Sequence, residues 1–159
     1  MSAFMRLHSF AFADVAVTAP SSGAIVALVL AFVLLMCSAY ASGSEIAFFS
    51  LSRSELDELS ESRSMRDKRV LQLIGEPERL LATILIVNDF VNVGIVMLLN
   101  FFFMDMLSFG PGSEWLEFIL LTVVLTFLLL LFGEVMPKIY SKSNVLKFAR
   151  FSANGFYVI

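Results

Sequence analysis

The sequence is poor in the residues that build disulfides and sites for soft metals. It has a single cysteine, Cys37, and a single histidine, His8. One cysteine leaves no disulfide framework, and the lack of a Cys–His cluster argues against zinc or copper. A serine hydrolase would need a base near Ser42 or Ser44, and His8 lies far away in the N-terminal tail. With no cofactor loop either, we do not expect an enzyme.

Charged residues are also scarce. They make up 16% of the 159 residues, whereas hydrophobic residues make up 58%. An ordinary soluble domain is about 25% charged and roughly 45–50% apolar. This composition predicts an all-α membrane protein that resides in the lipid bilayer and has a few spans.

Three apolar stretches are long enough to cross a bilayer, which takes about 20 residues. We expect transmembrane helices at 23–49, 80–103 and 115–136, with Trp115 at an interface. A helical linker at 52–76 joins the first two spans. Ser52 and Glu55 have the spacing of a capping box, which predicts a charged helix to about residue 69 and a short apolar helix after it. Gly75 predicts the end of this short apolar helix, and Gly110-Pro111-Gly112 predicts a turn.

The distribution of Lys and Arg predicts the orientation. Basic residues concentrate in the linker and after the third span, so both are expected on the cytoplasmic side. This makes residues 1–21 an extracytoplasmic tail, 22–141 a three-span domain, and 142–159 a cytoplasmic juxtamembrane helix. We expect a multi-pass protein of the cell inner membrane, with its N-terminus outside and its C-terminus inside.

One carboxylate lies at membrane depth. Glu134 directly follows the most apolar run, 118–132, with Gly133 before it and Pro137 three residues after it. An ionisable residue in lipid costs ~2.5–3.5 kcal/mol on insertion scales. A bound cation is the obvious compensation. Lys138 is predicted to anchor at the cytoplasmic surface rather than to pair with Glu134.

The orientation places other polar residues at the same depth. Glu45 and Glu134 lie toward the cytoplasmic ends of the first and third spans, and Asn88 lies in the first half of the second span. Ser42 and Glu45, like Asn88 and Asn92, have spacings that share a helix face. Helix breaks near Gly43 and Pro137 would free backbone carbonyls, as in transporters. Such hard oxygen donors suit Mg²⁺, Ca²⁺ or Na⁺, although these polar residues can also simply join helices by hydrogen bonds.

Three motifs carry a family resemblance. The stretches Ser42–Ala47, Leu80–Asn92 and Phe132–Lys138 resemble, in order and spacing, the signature stretches of the CorC/CNNM magnesium transporter family. The resemblance covers about residues 22–157. It implies a homodimeric three-span domain and an inward-facing cavity that holds Mg²⁺ largely stripped of water. It also implies export coupled to Na⁺.

The resemblance also implies a ligand set. The matching positions are Ser42, Asn88 and Glu134, with backbone carbonyls near Gly43, Thr83 and Gly133 as helpers. Two features depart from the family pattern. Val87 and Asp89 replace the usual Gly and Asn, so Asp89 either adds charge near the site or faces away toward a basic residue. Nucleotide-binding CBS domains, expected downstream, are absent, so we expect the chain to be truncated before them.

Three functions remain open at this stage. The first is a Mg²⁺ transporter domain, expected to work by Na⁺-coupled efflux. The second is a Mg²⁺-sensing membrane regulator or scaffold without transport of its own, and the third is a structural dimer module without an ion. No nucleic-acid partner is expected.

Overall fold

A computed structural model describes residues 16–108 and 114–157, and the Gly110-Pro111-Gly112 turn lies outside them. The helices are α1 (Ser22–Phe49), α2 (Arg53–Glu61), α3 (Met65–Ile74), α4 (Pro77–Met106), α5 (Glu114–Leu129), α6 (Met136–Ser143) and α7 (Val145–Phe156). A π-helical segment, Leu130–Val135, joins α5 to α6. Three stretches are long and apolar enough to cross a membrane: Ser22–Phe49, Pro77–Met106 and Leu121–Ser143. The predicted all-α, three-span fold class is confirmed.

The first two spans form the centre of the bundle. Ser21 caps the N-terminus of α1, because its side chain accepts a hydrogen bond from the Ala24 backbone N–H at 3.2 Å. Small residues then let α4 approach α1 closely, and Ala24, Ala27 and Ala31 are all buried. Close approach through small residues is how helices associate in lipid, where the hydrophobic effect supplies no drive.

A short antiparallel strand pair joins the N-terminal end of α1 to the C-terminal end of α4. β1 (Ala16–Val17) pairs with β2 (Leu107–Ser108). The Thr18 backbone N–H donates to the Met106 carbonyl at 2.9 Å, and the Ser21 N–H donates to the Asp105 carboxylate at 2.7 Å. The sequence did not predict this pair, because it depends on two chain ends being brought together by α1 and α4.

The linker is two helices, as expected, but its break falls earlier than the predicted boundary near residue 69. Ser52 and Glu55 form the predicted capping box, and the backbone hydrogen bond from Ser52 holds the pKa of Glu55 below its usual value. α2 ends at Glu61, and Ser64 caps α3 by accepting from the Arg66 N–H at 3.3 Å. Serine favours helix ends because its side chain competes for backbone hydrogen bonds.

The third span is irregular without being broken. It passes from α5 into the π-helical segment and then into α6, where Pro137 lies in the first turn. Proline lacks a backbone N–H and its ring crowds the carbonyl four residues back, which accounts for the widened, irregular pairing before it. α1, in contrast, runs through Gly43 without interruption. The helix break expected near Gly43 is therefore not found, and the widened turn of the third span lies at Gly133 and Glu134.

Helix α7 packs back onto the C-terminal part of α1 and onto α3. Their shared core combines alanines with aliphatic and aromatic side chains: Ala41, Ala47, Phe48, Leu59, Val70, Ala149, Ala153 and Phe156. The Arg150 guanidinium donates to the buried Asp67 carboxylate at 2.7 and 3.1 Å and to Glu58 at 3.0 Å. The hydrogen bond from Arg150 lowers the pKa of Asp67, which keeps the carboxylate ionised near neutral pH. These hydrogen bonds and the shared core hold α7 against the linker helices.

Candidate metal site

A polar cluster lies where the three spans meet. α1 contributes Ser38 and Ser42, α4 contributes Asn88 and Asn92, and the π-helical segment contributes Glu134. Both serines are completely buried, and Asn88 is 8% exposed. Hydrogen-bonding contacts within the cluster connect these side chains to one another.

Oxygen atoms converge in this cluster. The Ser38 Oγ lies 2.9 Å from the Asn88 Oδ1 and 2.7 Å from the Asn92 Oδ1. The Ser42 Oγ lies 3.3 Å from the same Asn88 oxygen. Three close oxygen–oxygen approaches thus share two hydroxyl protons, so one approach lacks a proton of its own. Such crowding of oxygen lone pairs is what a hard cation relieves.

The carboxylate joins the cluster through an amide. The Asn92 Nδ2 donates to the Glu134 Oε1 at 3.3 Å, while the Asn92 Oδ1 faces Ser38. Gly133 makes this packing possible, since a Cβ at that position would lie only 3.1 Å from the Ser38 Oγ. The structure therefore brings Ser42, Asn88 and Glu134 together, with Ser38 and Asn92 as the links between them. Their role as metal ligands stays a prediction.

The helper positions differ in their placement. Gly133 lies against Ser38 in the cluster. The Gly43 carbonyl accepts a hydrogen bond from the Ser141 hydroxyl at 2.6 Å, so it already has a partner. The Thr83 hydroxyl donates to the Arg79 carbonyl one turn back in α4, at 2.8 Å. Thr83 lies five residues before Asn88, which rotates its side chain roughly 140° around the helix, and that side chain lines a pocket with residues of α3 and α7.

Gly43 has a packing role in place of the expected break. A Cβ there would lie 2.6 Å from the Phe148 ring of α7. One residue further, the Ser44 hydroxyl donates to the Ser152 hydroxyl at 2.7 Å. The segment that carries Ser42 is therefore in direct contact with the juxtamembrane helix.

Apolar residues close the cluster on the side of the strand pair. Val91, Ile95 and Leu129 form a buried group there, with Leu34 and Leu35 packed against it. On the opposite side, polar and charged side chains continue along α1 and α6. The cluster is therefore separated from one membrane surface by hydrocarbon and connected to the other by polar groups.

Asp89 points away from the cluster. It lies on the exposed face of α4 beside Ile86, which is 69% exposed, and Phe90, which is 81% exposed. Of the two placements considered from the sequence, the structure favours the one that faces away. The salt bridges among the described residues do not include Asp89.

Lys138 pairs with Glu45 and not with Glu134. Its Nζ lies 2.9 Å from the Glu45 Oε2, and this pair connects α1 to α6. Among the described residues Glu134 therefore has no salt-bridge partner, in line with the sequence argument.

Ser38 was missed, and Asn92 was noted without being assigned to the site. The signal for Ser38 was present, because Ser38, Ser42 and Glu45 have the spacing of one stripe on a helix. Among the described residues no group of three or more His, Cys, Asp or Glu side chains gathers as a metal site. The cluster instead combines hydroxyls, amides and one carboxylate.

These features define the class of protein: an α-helical, multi-pass membrane domain with an oxygen-lined polar cluster between its three spans. The chain belongs to the CNNM family, because residues 29–159 match the model of the cyclin M transmembrane N-terminal domain. This family is one of membrane domains and not a class of enzymes.

Three curated relatives show the same relationship. The chain is 32% identical over 126 residues to a UPF0053 protein of Haemophilus influenzae, covering 79% of this chain and 29% of the relative. It is 36% identical over 101 residues to the UPF0053 inner membrane protein YfjD of Escherichia coli, covering 64% and 22%. It is 32% identical over 124 residues to metal transporter cnnm-4 of Caenorhabditis elegans, covering 73% and 25%. The chain thus spans between a fifth and a third of the length of these relatives.

Proposed function

We propose that this chain is the membrane module of a Mg²⁺ transporter and that the polar cluster is its ion site. The observation that carries the proposal is the convergence of Ser42, Asn88 and Glu134 from three different spans. The name of the similar cnnm-4 protein, a metal transporter, supports the same class of activity.

The donor set favours Mg²⁺ over softer metals. Hydroxyl, amide and carboxylate oxygens are hard ligands, which suit Mg²⁺, Ca²⁺ and Na⁺. Mg²⁺ needs a compact oxygen shell and gives up water reluctantly. These oxygens already lie within 2.7 to 3.3 Å of one another, so little further conformational entropy is lost when they surround an ion. Glu134 supplies the charge that makes dehydration favourable.

We propose an inward-facing arrangement. The apolar group around Ile95 closes the side of the strand pair, while the polar side leads to the linker, where basic residues gather. With the positive-inside rule, this orientation puts the N-terminus outside and the C-terminus in the cytoplasm. The similar YfjD protein is named an inner membrane protein, which supports the inner membrane as the location.

Export against an inside-negative potential requires an energy source. Moving a divalent ion outward costs about 4.6 kcal/mol per 100 mV, twice the cost for one charge. Inward flow of Na⁺ would offset this cost, and Na⁺ is the coupling ion that the family resemblance implies. We therefore propose Na⁺-coupled Mg²⁺ efflux.

We further propose that the module works as a homodimer. Asp89 places a carboxylate on an exposed apolar face of α4, where lipid would make it costly. A second copy covering this face would remove the carboxylate from lipid. CBS domains after α7 belong to the same proposal, as the family resemblance implies.

A specific observation also favours a second function, a Mg²⁺-sensing regulator or scaffold. The segment carrying Ser42 contacts α7 through Gly43 and Ser44, so ion binding would be felt directly by the juxtamembrane helix. A sensor would bind Mg²⁺ in detergent and carry no flux.

Flux measured in proteoliposomes separates the two functions. A transporter moves Mg²⁺ across the vesicle membrane and responds to an imposed Na⁺ gradient. Glu134→Gln and Asn88→Ala should each reduce the flux at least tenfold, because each removes a predicted ligand. Glu76→Gln is the matched control, since that carboxylate is exposed outside the cluster. Unchanged flux in both ligand variants would refute the proposed site.

A further inference from the structure

A second charged group lies one helical turn from the polar cluster. The Lys138 Nζ and the Glu45 Oε2 are 2.9 Å apart, and their side chains are 34% and 26% exposed. Glu45 continues the stripe of Ser38 and Ser42 on α1. Lys138 follows Glu134 by four residues, which places both on one side of the third span. The ion pair therefore joins two of the three spans that hold the cluster, on its cytoplasmic side in the proposed orientation.

The surrounding residues make this pair the polar step toward the cytoplasm. α4 presents Ile84 at this level, one turn before Asn88, and Ile84 is 1% exposed. Toward the other membrane surface, the group of Val91, Ile95 and Leu129 closes the bundle. An ion that leaves or reaches the cluster along polar groups thus passes between α1 and α6, where Glu45 meets Lys138.

The chemistry of the pair suits exchange with a cation. A lysine ammonium is a compact charge on a flexible stem, so it can swing away from a carboxylate without moving its helix. A partly exposed pair contributes little net stability and opens readily. A divalent cation at the same carboxylate has twice the charge of the ammonium. Lys138 thus occupies the position that such a cation would take.

We propose that Glu45 is an entry ligand for the divalent cation and that Lys138 holds its place until the cation arrives. This inference rests on the proposed function, in which Mg²⁺ reaches the cluster from the cytoplasm. Displacement of Lys138 opens the passage between α1 and α6 and passes the ion from Glu45 to Ser42, one turn further in.

Thiol accessibility tests the barrier without relying on transport. In a Cys37→Ala background, Ser42→Cys provides a single reporter thiol at the cluster. Its rate of modification is measured in detergent with one cationic and one anionic methanethiosulfonate. Glu45→Gln and Lys138→Met should each raise the rate for both reagents, by roughly three- to tenfold, because either change opens the pair.

Two controls interpret this experiment. Arg79→Met breaks the exposed pair with Glu76 and should leave the reporter rate unchanged. A thiol at the exposed position Met65 should react equally fast in all variants. Opposite effects on the two reagents would show a change of local field without a barrier, and unchanged rates would show no barrier. Either result overturns the proposal.

Mg²⁺ association tests the entry role itself. Stopped-flow mixing with a magnesium-indicator dye should show faster association for Lys138→Met and slower association for Glu45→Gln, each by at least threefold. Both variants open the pair, so a merely structural pair would change both rates in the same direction. If the wild-type protein binds Mg²⁺ and the variants associate equally fast, the entry role fails alone. If the wild type binds no Mg²⁺, the proposed function fails and the entry role fails with it.

Discussion

Gly133→Ala is the most informative small change in this chain. The new methyl group would lie 3.1 Å from the Ser38 Oγ, closer than an ordinary carbon–oxygen contact. Ser38 is completely buried, and its hydroxyl lies within hydrogen-bonding distance of both Asn88 and Asn92. It cannot yield by a few tenths of an ångström without weakening at least one of these contacts. The substitution therefore perturbs the cluster while leaving every predicted ligand in place.

The expected magnitude follows from these contacts. Overpacking in a filled interior costs about 1–3 kcal/mol, and a weakened hydrogen bond costs roughly 0.5–1.5 kcal/mol. A loss of ~1.4 kcal/mol in binding corresponds to a tenfold weaker affinity. We expect Gly133→Ala to weaken Mg²⁺ binding about tenfold, measured by isothermal titration calorimetry in detergent.

Gly94→Ala is the matched control. Its methyl would meet only the end of the Leu34 side chain, at 3.0 Å, and that flexible apolar group is outside the cluster. In the Ser38→Ala background, the methyl at 133 would face the Cβ of residue 38 at 3.7 Å, an ordinary contact. Gly133→Ala should then cost almost nothing further. Equal affinities for the two glycine variants, or strict additivity with Ser38→Ala, would refute the reasoning.

Three further predictions concern the linker and α7. Asp67→Asn should lower the free energy of unfolding by about 1–3 kcal/mol at pH 7, because Arg150 loses its buried carboxylate. The pKa of Asp67 is lower in the folded state than in the unfolded state. The stability that the ionised carboxylate contributes is therefore present above about pH 3.9, the unfolded pKa, and is lost as the pH falls through the folded pKa. Denaturant melts of the variant and the wild type should converge in acid. Gly155→Ala should destabilise the docking of α7 by about 1–3 kcal/mol, because the new methyl collides with the Tyr40 hydroxyl; Tyr40→Phe should relieve part of this cost, and thermal melts measure both. Ser52→Ala should cost about 1 kcal/mol through loss of the capping box and should show as faster amide hydrogen exchange in the first turn of α2.

Much of the fold could be predicted because hydropathy is a property of the sequence itself. The long apolar runs determined the three spans, and the matching depths of Ser42, Asn88 and Glu134 predicted that these residues meet. Features set by tertiary contact were not predictable. The pair of strands Ala16–Val17 and Leu107–Ser108 exists only because α1 and α4 are packed side by side.

The candidate site was harder to predict for the same reason. Depth along a helix is readable from sequence, but rotation around it is not fixed until the helices pack. The Thr83 hydroxyl bonds within α4, whereas the predicted role of a backbone carbonyl near Thr83 stays a prediction. Ser38 has both a suitable depth and a suitable rotation, because it lies one turn before Ser42 on the same face of α1. A helix break was expected near Gly43, whereas the structure has an unbroken helix there, in which Gly43 leaves room for the Phe148 ring.

Titration of Mg²⁺ into the purified protein tests the central claim most directly. The account predicts saturable binding that is lost in Glu134→Gln and Asn88→Ala and retained in Glu76→Gln, since only the first two remove oxygens from the cluster. Binding that survives both substitutions, or no Mg²⁺ binding by the wild-type protein, would contradict the account.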